Sequence, residues 1–250
     1  MYTLKKSLGQ HFLKDENICR KIVSMLRQHS FVQLLEVGPG GGALTKYLLE
    51  FNKIDFRAVE LDKEKVEYLL NNFPQLGGKI IHQNFLDMDK PFEGKFTVVG
   101  NFPYNISSQI LFKILDWKDS VACMIGMFQK EVAQRIAAKE GNKTYGILSV
   151  LVQAFFKVEY LFEVSEKSFQ PPPKVKSAVI RLIPVTEKLK MKNEQLFFLL
   201  VKTAFNQRRK MLRSAVKSLF DAAILQDKLF SKRAEQLSVQ DFADLTFKMR

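Results

Sequence analysis

Along the first two-thirds of the chain, short apolar and β-branched runs alternate with stretches whose apolar positions recur at helical spacing. Strands are predicted at Gln33–Val37, Asp55–Val59, Lys79–His82, Phe96–Gly100 and Val121–Phe128, with two more within Val150–Val164 and Ser177–Ile183. Helical patterns fill the intervals at Leu44–Phe51, Lys63–Asn72, Ser107–Leu115 and Gln129–Ala138. This alternation predicts an α/β fold: an open, doubly wound, mostly parallel sheet with ligands at the carboxyl ends of its strands. After Pro184 the pattern becomes purely helical. Asn193–Phe205 places Leu196, Phe197, Leu200, Val201 and Ala204 at helical spacing, and Asn206–Phe220 continues with Leu212, Val216, Leu219 and Phe220. A last helix, Val239–Met249, follows an expected N-cap at Ser238. Two domains are predicted, residues 1–185 and a small helical domain over 186–250.

Composition narrows the class. With 46% apolar and 26% charged residues in 250, the chain can bury a sizeable core, which excludes disorder as its main theme. The longest apolar run, Val121–Phe128, is far shorter than the ~20 residues of a membrane helix. The residues after Met1–Lys6 are polar, so no secretory signal is expected. Two cysteines (Cys19, Cys123) and three histidines (His11, His29, His82), with no CxxC or HExxH, predict neither a disulfide framework nor a metal site. The expected setting is the cytoplasm, and nothing in the sequence suggests more than a monomer.

Charge adds a partner class. Lys plus Arg is 39 against 26 for Asp plus Glu, a net +13. Residues 186–250 hold 14 basic and 7 acidic residues, about half of the excess. Such a balance suits a polyanion, though a soluble protein can also simply be basic. If Asn206–Phe220 is one helix, Arg209, Arg213 and Lys217 line up at i, i+4 and i+8 with no acid between them. Either phosphates supply the missing counter-charge or the stripe is a solvated face.

The segment Leu34-Leu35-Glu36-Val37-Gly38-Pro39-Gly40-Gly41-Gly42-Ala43 is a strand running into a glycine turn ahead of a helix. Glycines allow close backbone approach to a ligand. The spacing Gly38-x-Gly40-x-x-Ala43 also satisfies the dinucleotide pattern, although Pro39 removes one N–H that would cradle a pyrophosphate. Glu60 ends the next strand, where an acid accepts hydrogen bonds from vicinal ribose hydroxyls. Together these imply an adenosine-containing ligand without choosing between NAD and another.

The stretch Val98-Val99-Gly100-Asn101-Phe102-Pro103-Tyr104-Asn105-Ile106-Ser107 makes the choice. Asn101-Phe102-Pro103-Tyr104 resembles the (N/D)PP(Y/F) motif of amino-methyltransferases that use S-adenosylmethionine. With Asn105-Ile106-Ser107 it is similar to rRNA adenine N6-dimethyltransferases. An exocyclic adenine amine is a weak nucleophile, its lone pair delocalised into the ring; neutral acceptors that hold both N–H bonds turn that pair toward the methyl donor. The Asn101 side-chain oxygen and the Phe102 carbonyl suit the task, Pro103 fixes the turn, and Tyr104 stacks on the base. The alternative is an Asx-type turn beside a core tyrosine.

Other segments resemble the bacterial small-subunit (16S) rRNA adenine N6,N6-dimethyltransferases, relatives of the macrolide-resistance enzymes of the large subunit. Ser7-Leu8-Gly9-Gln10-His11-Phe12-Leu13 is similar to their N-terminal cofactor segment, which implies S-adenosylmethionine contacts for His11 and Leu13. Gly38, Gly40, Glu60 and Asn101 match further cofactor positions. Ser168-Phe169-Gln170-Pro171-Pro172-Pro173-Lys174-Val175 resembles the family's proline-rich loop, which implies that Phe169 covers the second face of the base. Ala204-Phe205-Asn206-Gln207-Arg208-Arg209-Lys210 resembles the helical-domain segment of the small-subunit enzymes, and Arg208, Arg209, Lys210, Arg213 and Lys217 are the expected RNA-backbone contacts. One departure is Asn84, where the family usually has an Asp that accepts from the cofactor's adenine amine.

The resemblance implies a class I methyltransferase fold. It also implies dimethylation of two adjacent adenosines in a 3′-terminal hairpin loop of 16S rRNA within an immature small subunit. Alternatives are a large-subunit rRNA or DNA adenine methyltransferase, an NAD-dependent reductase built on the glycine loop alone, and a non-catalytic rRNA-binding assembly factor, to which Asn84 lends support.

Overall fold

A computed structural model describes residues 11–250; Ser7–Gln10 and the basic Lys5 and Lys6 lie outside the described residues. A short strand β1 (Phe12–Leu13) precedes α1 (Glu16–Leu26), whose first turn is capped by the Asp15 carboxylate and whose buried face is Cys19, Ile22, Val23 and Leu26. Then follow β2 (Gln33–Val37), α2 (Thr45–Leu48), β3 (Asp55–Glu60), α3 (Lys63–Asn72), β4 (Ile80–His82), β5 (Phe96–Asn101), α4 (Ser107–Asp116), β6 (Val121–Gln129) and α5 (Lys130–Ala137). The remainder comprises α6 (Ile147–Gln153), β7 (Phe156–Val164), β8 (Phe169–Gln170), β9 (Ser177–Pro184), α7 (Glu194–Asn206), α8 (Leu212–Ala215) and α9 (Val239–Thr246).

The main sheet has seven strands in the order β4-β3-β2-β5-β6-β9-β7, and β1 pairs with β8 in a separate two-stranded ribbon. β4, β3, β2, β5 and β6 run parallel, while β9 runs antiparallel to β6, aligning Met124 with Leu182 and Gln129 with Ser177. The chain winds outward from β2 through β3 to β4 and then returns to β5 on the other side of β2. The carboxyl ends of β2 and β5 therefore flank the topological switch point, where open α/β sheets bind their ligands. Leu34, Leu35, Val98, Val99, Met124 and Ile125 are fully buried, as expected of strands covered on both faces.

Four expectations change. The helix expected over Leu44–Phe51 shortens to α2 because residues 47–51 wind in i→i−3 turns, Glu50 N–H bonding to Tyr47 O and Phe51 N–H to Leu48 O. The apolar run Ile147–Gln153 is helical, not part of a strand. Its entry is fixed by the Gly146 N–H donating to Ser149 Oγ, and tertiary burial of Leu148 to Val152 outweighs their β-branched character. Asn206–Phe220 is not one helix. Gln207 leaves helical geometry (φ −120°, ψ 48°), a turn closed by Lys210 N–H to Gln207 O follows, and α8 restarts after an extended Met211. Finally, one compact unit holds residues 11–133 with 159–184, while the other joins 134–158 to 185–250, so the chain changes unit after Pro184 as expected but also crosses inside α5 and inside β7. Ser149 Oγ donating to Arg135 O, and Gln153 Nε2 donating to the carbonyls of Ile136 and Ala138, tie α6 to the end of α5 within that second unit. α9 begins where expected, with Ser238 accepting from Asp241 N–H, and ends at Thr246 rather than Met249.

Candidate active site

At the carboxyl end of β2 the chain turns through Gly38 at φ +69°, a conformation that disfavours any side chain. A methyl group placed there meets nothing within 4 Å, so the missing side chain opens into a cavity. That cavity is lined by His11, Leu13, Glu36, Gly38, Gly40, Glu60, Asn101, Phe102, Pro103 and Tyr104. A second, mainly apolar cavity shares Gly38, Glu60 and Pro103 with it and adds Val37, Val59, Asn84, Phe85 and Ile106. All the expected cofactor and catalytic positions thus converge on two adjoining spaces at the switch point.

Glu60, the last residue of β3, is buried and fixed by three backbone donors. Gly40 N–H reaches Oε2 at 3.1 Å, and the N–H groups of Leu61 and Asp62 each reach Oε1 at 3.0 Å. The carboxylate locks the glycine turn to the end of β3 and leaves lone pairs for a ligand. Glu36 is buried in the neighbouring wall, its Oε2 accepting from Thr45 Oγ1 at 2.7 Å. Desolvation pushes its pKa up to about 8, opposed by the Thr45 hydrogen bond and assisted by the charge of Glu60.

Asn101 ends β5. Its Nδ2 donates to the main-chain oxygen of His11 at 3.0 Å, which fixes the amide and leaves Oδ1 as its uncommitted acceptor. The Phe102 ring is 1% exposed and wedged against β5 and β6. A Cβ at Gly126 would lie 2.2 Å from its Cε2, and one at Gly100 would lie 2.6 Å from its Cε1. These paired glycines make the room that an aromatic residue needs in the motif's second position, and Phe102 N–H bonding Met127 O at 3.3 Å sets its peptide plane. Pro103 O accepts from Ile106 N–H and Ser107 Oγ, closing the corner into α4. Tyr104 is half-buried, its hydroxyl 2.5 Å from Ser177 Oγ at the start of β9; burial raises its pKa against the opposing effect of that hydrogen bond. The His11 ring stacks on it at 5.4 Å and 30°, with His11 Nδ1 2.9 Å from Pro171 O.

Three expectations meet a different geometry. Phe169, expected to cover the base, is 1% exposed and sits in the core with Leu13 and Val179, opposite Leu13 in the ribbon, so its ring offers no free face. The ring that faces Tyr104 is His11. Asn84 lines the second cavity, but its side chain also closes its own loop, accepting from Leu86 N–H at 3.2 Å and donating to Asp87 at 2.7 Å. Arg209, Lys210, Arg213 and Lys217 are exposed, yet the break after Asn206 removes the single stripe; Arg208 is half-buried against Glu235.

Sequence reasoning missed Glu36, Lys65 and Ser177. An acid inside the apolar strand Leu34–Val37 was a legible signal for Glu36. Lys65 is 1% exposed in the cavity wall, its ammonium 5.0 Å from the Phe12 ring centre and 4.0 Å from Asp62, but in a charged helix such as α3 it looked like surface. Ser177 had no local signal, because only the sheet register brings it to Tyr104.

Over more than nine-tenths of its length the chain has the fold of known methyltransferases. A dimethyladenosine transferase from Plasmodium falciparum superposes with a TM-score of 0.79 at 26% identity, covering 94% of this chain and 96% of that one. The 23S rRNA methyltransferase ErmE matches with a TM-score of 0.69 at 23% identity over 93% of this chain and 99% of its own, a likeness of fold. Fold and pocket define a class I, Rossmann-like S-adenosylmethionine-dependent methyltransferase carrying C-terminal helices. The sequence profile of the ribosomal RNA adenine dimethylases matches residues 1–248. The ribosomal RNA small subunit methyltransferase A of Parabacteroides distasonis is 54% identical over 246 residues, covering 97% of this chain and 92% of its own. That of Cytophaga hutchinsonii is likewise 54% identical, covering 97% and 95%. The chain belongs to the ribosomal RNA adenine dimethylase family. That membership sets aside the NAD-dependent and non-catalytic readings. Among the described residues no group of three or more His, Cys, Asp or Glu is placed to hold a metal, and no helix is long and apolar enough to cross a membrane.

Proposed function

We propose that the enzyme dimethylates the N6 amines of two adjacent adenosines in the 3′-terminal hairpin loop of 16S rRNA, acting as a monomer on immature small subunits in the cytoplasm. The 54% identity to small-subunit methyltransferases over nearly their whole length supports the substrate, and the orientation of Asn101 supports the chemistry. Loop adenosines suit a pocket of this kind, since an unpaired base leaves its stack at little cost.

The residues fit the methyl donor. The apolar slot of Val37, Val59, Phe85 and Ile106 accepts an adenine, with Asn84 at its polar edge. Glu60 accepts from the ribose hydroxyls, and the open side of Gly38, with Glu36, His11 and Leu13, receives the amino-acid end. When bound, S-adenosylmethionine supplies an electrophilic methyl carbon on a sulfonium.

The chain's own residues position the acceptor. Asn101 Oδ1 and the Phe102 carbonyl each take one N–H of the amine, which turns the nitrogen lone pair toward the donor without prior deprotonation. Once one hydrogen has been replaced by methyl, a single acceptor suffices to orient the second transfer. Tyr104 stacks on the base, its tilt set by Ser177. In Asn101→Ala, methyl transfer to small-subunit RNA should fall by about 100-fold or more while RNA affinity stays within about 2-fold, because an orienting contact acts on the reacting geometry. Normal turnover in that variant would overturn the positioning role.

A further inference from the structure

The expected phosphate contacts all lay in the C-terminal tail, but backbone hydrogen bonds gather three separate segments of the second unit around that motif. Gly141 N–H donates to Glu235 O at 2.8 Å, joining the loop 139–143 to the segment 232–235. Leu212 N–H donates to Lys232 O at 2.8 Å, joining the same segment to the turn that follows α7. Arg208 closes the triangle: its Nε donates to Glu235 Oε2 at 2.6 Å and its Nη2 to the Lys143 carbonyl. The exposed side chains on these segments include Lys139, Lys143, Arg209, Lys210, Lys232 and Arg233, and among the described residues none of the six forms an ion pair. Glu140 is the one exposed acid on the loop, and the Glu235 carboxylate is engaged by Arg208.

We infer that these three segments form a single phosphate-binding face and that Arg208, placed in their midst, is the tie that aligns them rather than a phosphate ligand itself. This rests on the RNA substrate of the functional reading and adds to it a loop some 65 residues away from the basic motif. Six exposed cations against one exposed acid, Glu140, leave these segments with an excess of positive charge, and an RNA backbone supplies the missing counter-charge while releasing its own counterions. Arg208 suits the tie because its planar fork holds a carboxylate and a carbonyl at once, a geometry that a lysine ammonium does not reproduce.

The test sets charge against architecture, using a small-subunit 3′-hairpin RNA as probe and reading its dissociation constant against salt. Glu235→Gln removes an acid and frees Arg208, so charge counting alone predicts tighter binding and a steeper salt slope. The tie predicts binding weaker by about 3-fold or more and a shallower slope, since cations that leave the face no longer neutralise phosphates. Arg208→Lys, which keeps the charge, should weaken binding in the same way, whereas a phosphate ligand would tolerate it. Lys143→Gln should lower the log–log slope by about 0.7–0.9, the value of one contact. Should Glu235→Gln fail to fold by its melting curve, Arg208→Lys and Lys143→Gln decide. Tighter binding in Glu235→Gln, or wild-type behaviour in both other variants, overturns the inference. Wild-type methyl transfer to the same RNA is measured alongside: if it is absent the functional reading falls, and if it is present while the variants disagree only the tie falls.

Discussion

Residues Asn101 to Tyr104 are held by backbone at the end of their own strand, by the glycine pair beneath Phe102 and by one hydroxyl from β9. The cations around Arg208 belong to segments that are joined by hydrogen bonds between distant parts of the chain. The first region is a local corner, and its residue types announce its chemistry. The second is a surface whose charges are visible in the sequence but whose arrangement is tertiary. A motif that must grip one reacting atom is compact along the chain; a surface that neutralises a polyanion can be assembled from anywhere.

Perturbing the corner should produce the larger effects. Tyr104→Ala removes a stacking platform worth about 1–3 kcal/mol per base, so kcat/KM for RNA should drop by about 10- to 100-fold with cofactor affinity preserved. A loss confined to cofactor binding would move Tyr104 out of base recognition. Gly126→Ala forces a methyl group into the Phe102 ring, and overpacking of this kind costs about 1–3 kcal/mol, which a melting curve reads directly. Phe102→Leu in the same chain should recover part of that loss; no recovery would mean that the ring is not what the glycine accommodates.

Glu36 gives a subtler response. Its carboxyl is raised to about 8 in the fold against an ordinary value of 4.5, so folding takes up a proton and this group's contribution to stability declines as pH rises from about 5 to 8. A cationic ligand favours the carboxylate, so donor binding should expel that proton and strengthen as pH rises toward 8. Calorimetry in buffers of different ionisation enthalpy should show less proton release in Glu36→Gln than in wild type. Equal release in both would remove Glu36 from the cationic end of the pocket. On the RNA face the effects should be smallest: Arg209→Ala and Arg213→Ala should each lower the salt slope by about 0.7–0.9 and leave turnover at saturating RNA unchanged. An unchanged slope in both would make them solvated surface.

The parallel strands were legible because a strand covered on both faces is a nearly continuous apolar run, as at Leu34, Leu35, Val98 and Val99. Gly38, Glu60 and Asn101 were legible because each stands at a strand's carboxyl end, where topology alone brings them together. α6 was not, since burial rather than propensity decides between helix and strand for a short apolar run such as Ile147–Gln153. The break at Gln207 was equally hidden, because the apolar period continues through it while the backbone does not. Phe169 shows the limit of a motif: the residue type was read correctly, but its ring is spent on the core beside Leu13.

The most direct measurement is mass spectrometry of nucleosides from small-subunit RNA incubated with the enzyme and isotopically labelled S-adenosylmethionine. Label is expected in N6,N6-dimethyladenosine at two adjacent positions of the 3′ hairpin. Label in any other nucleoside, or in none, would contradict the proposed function.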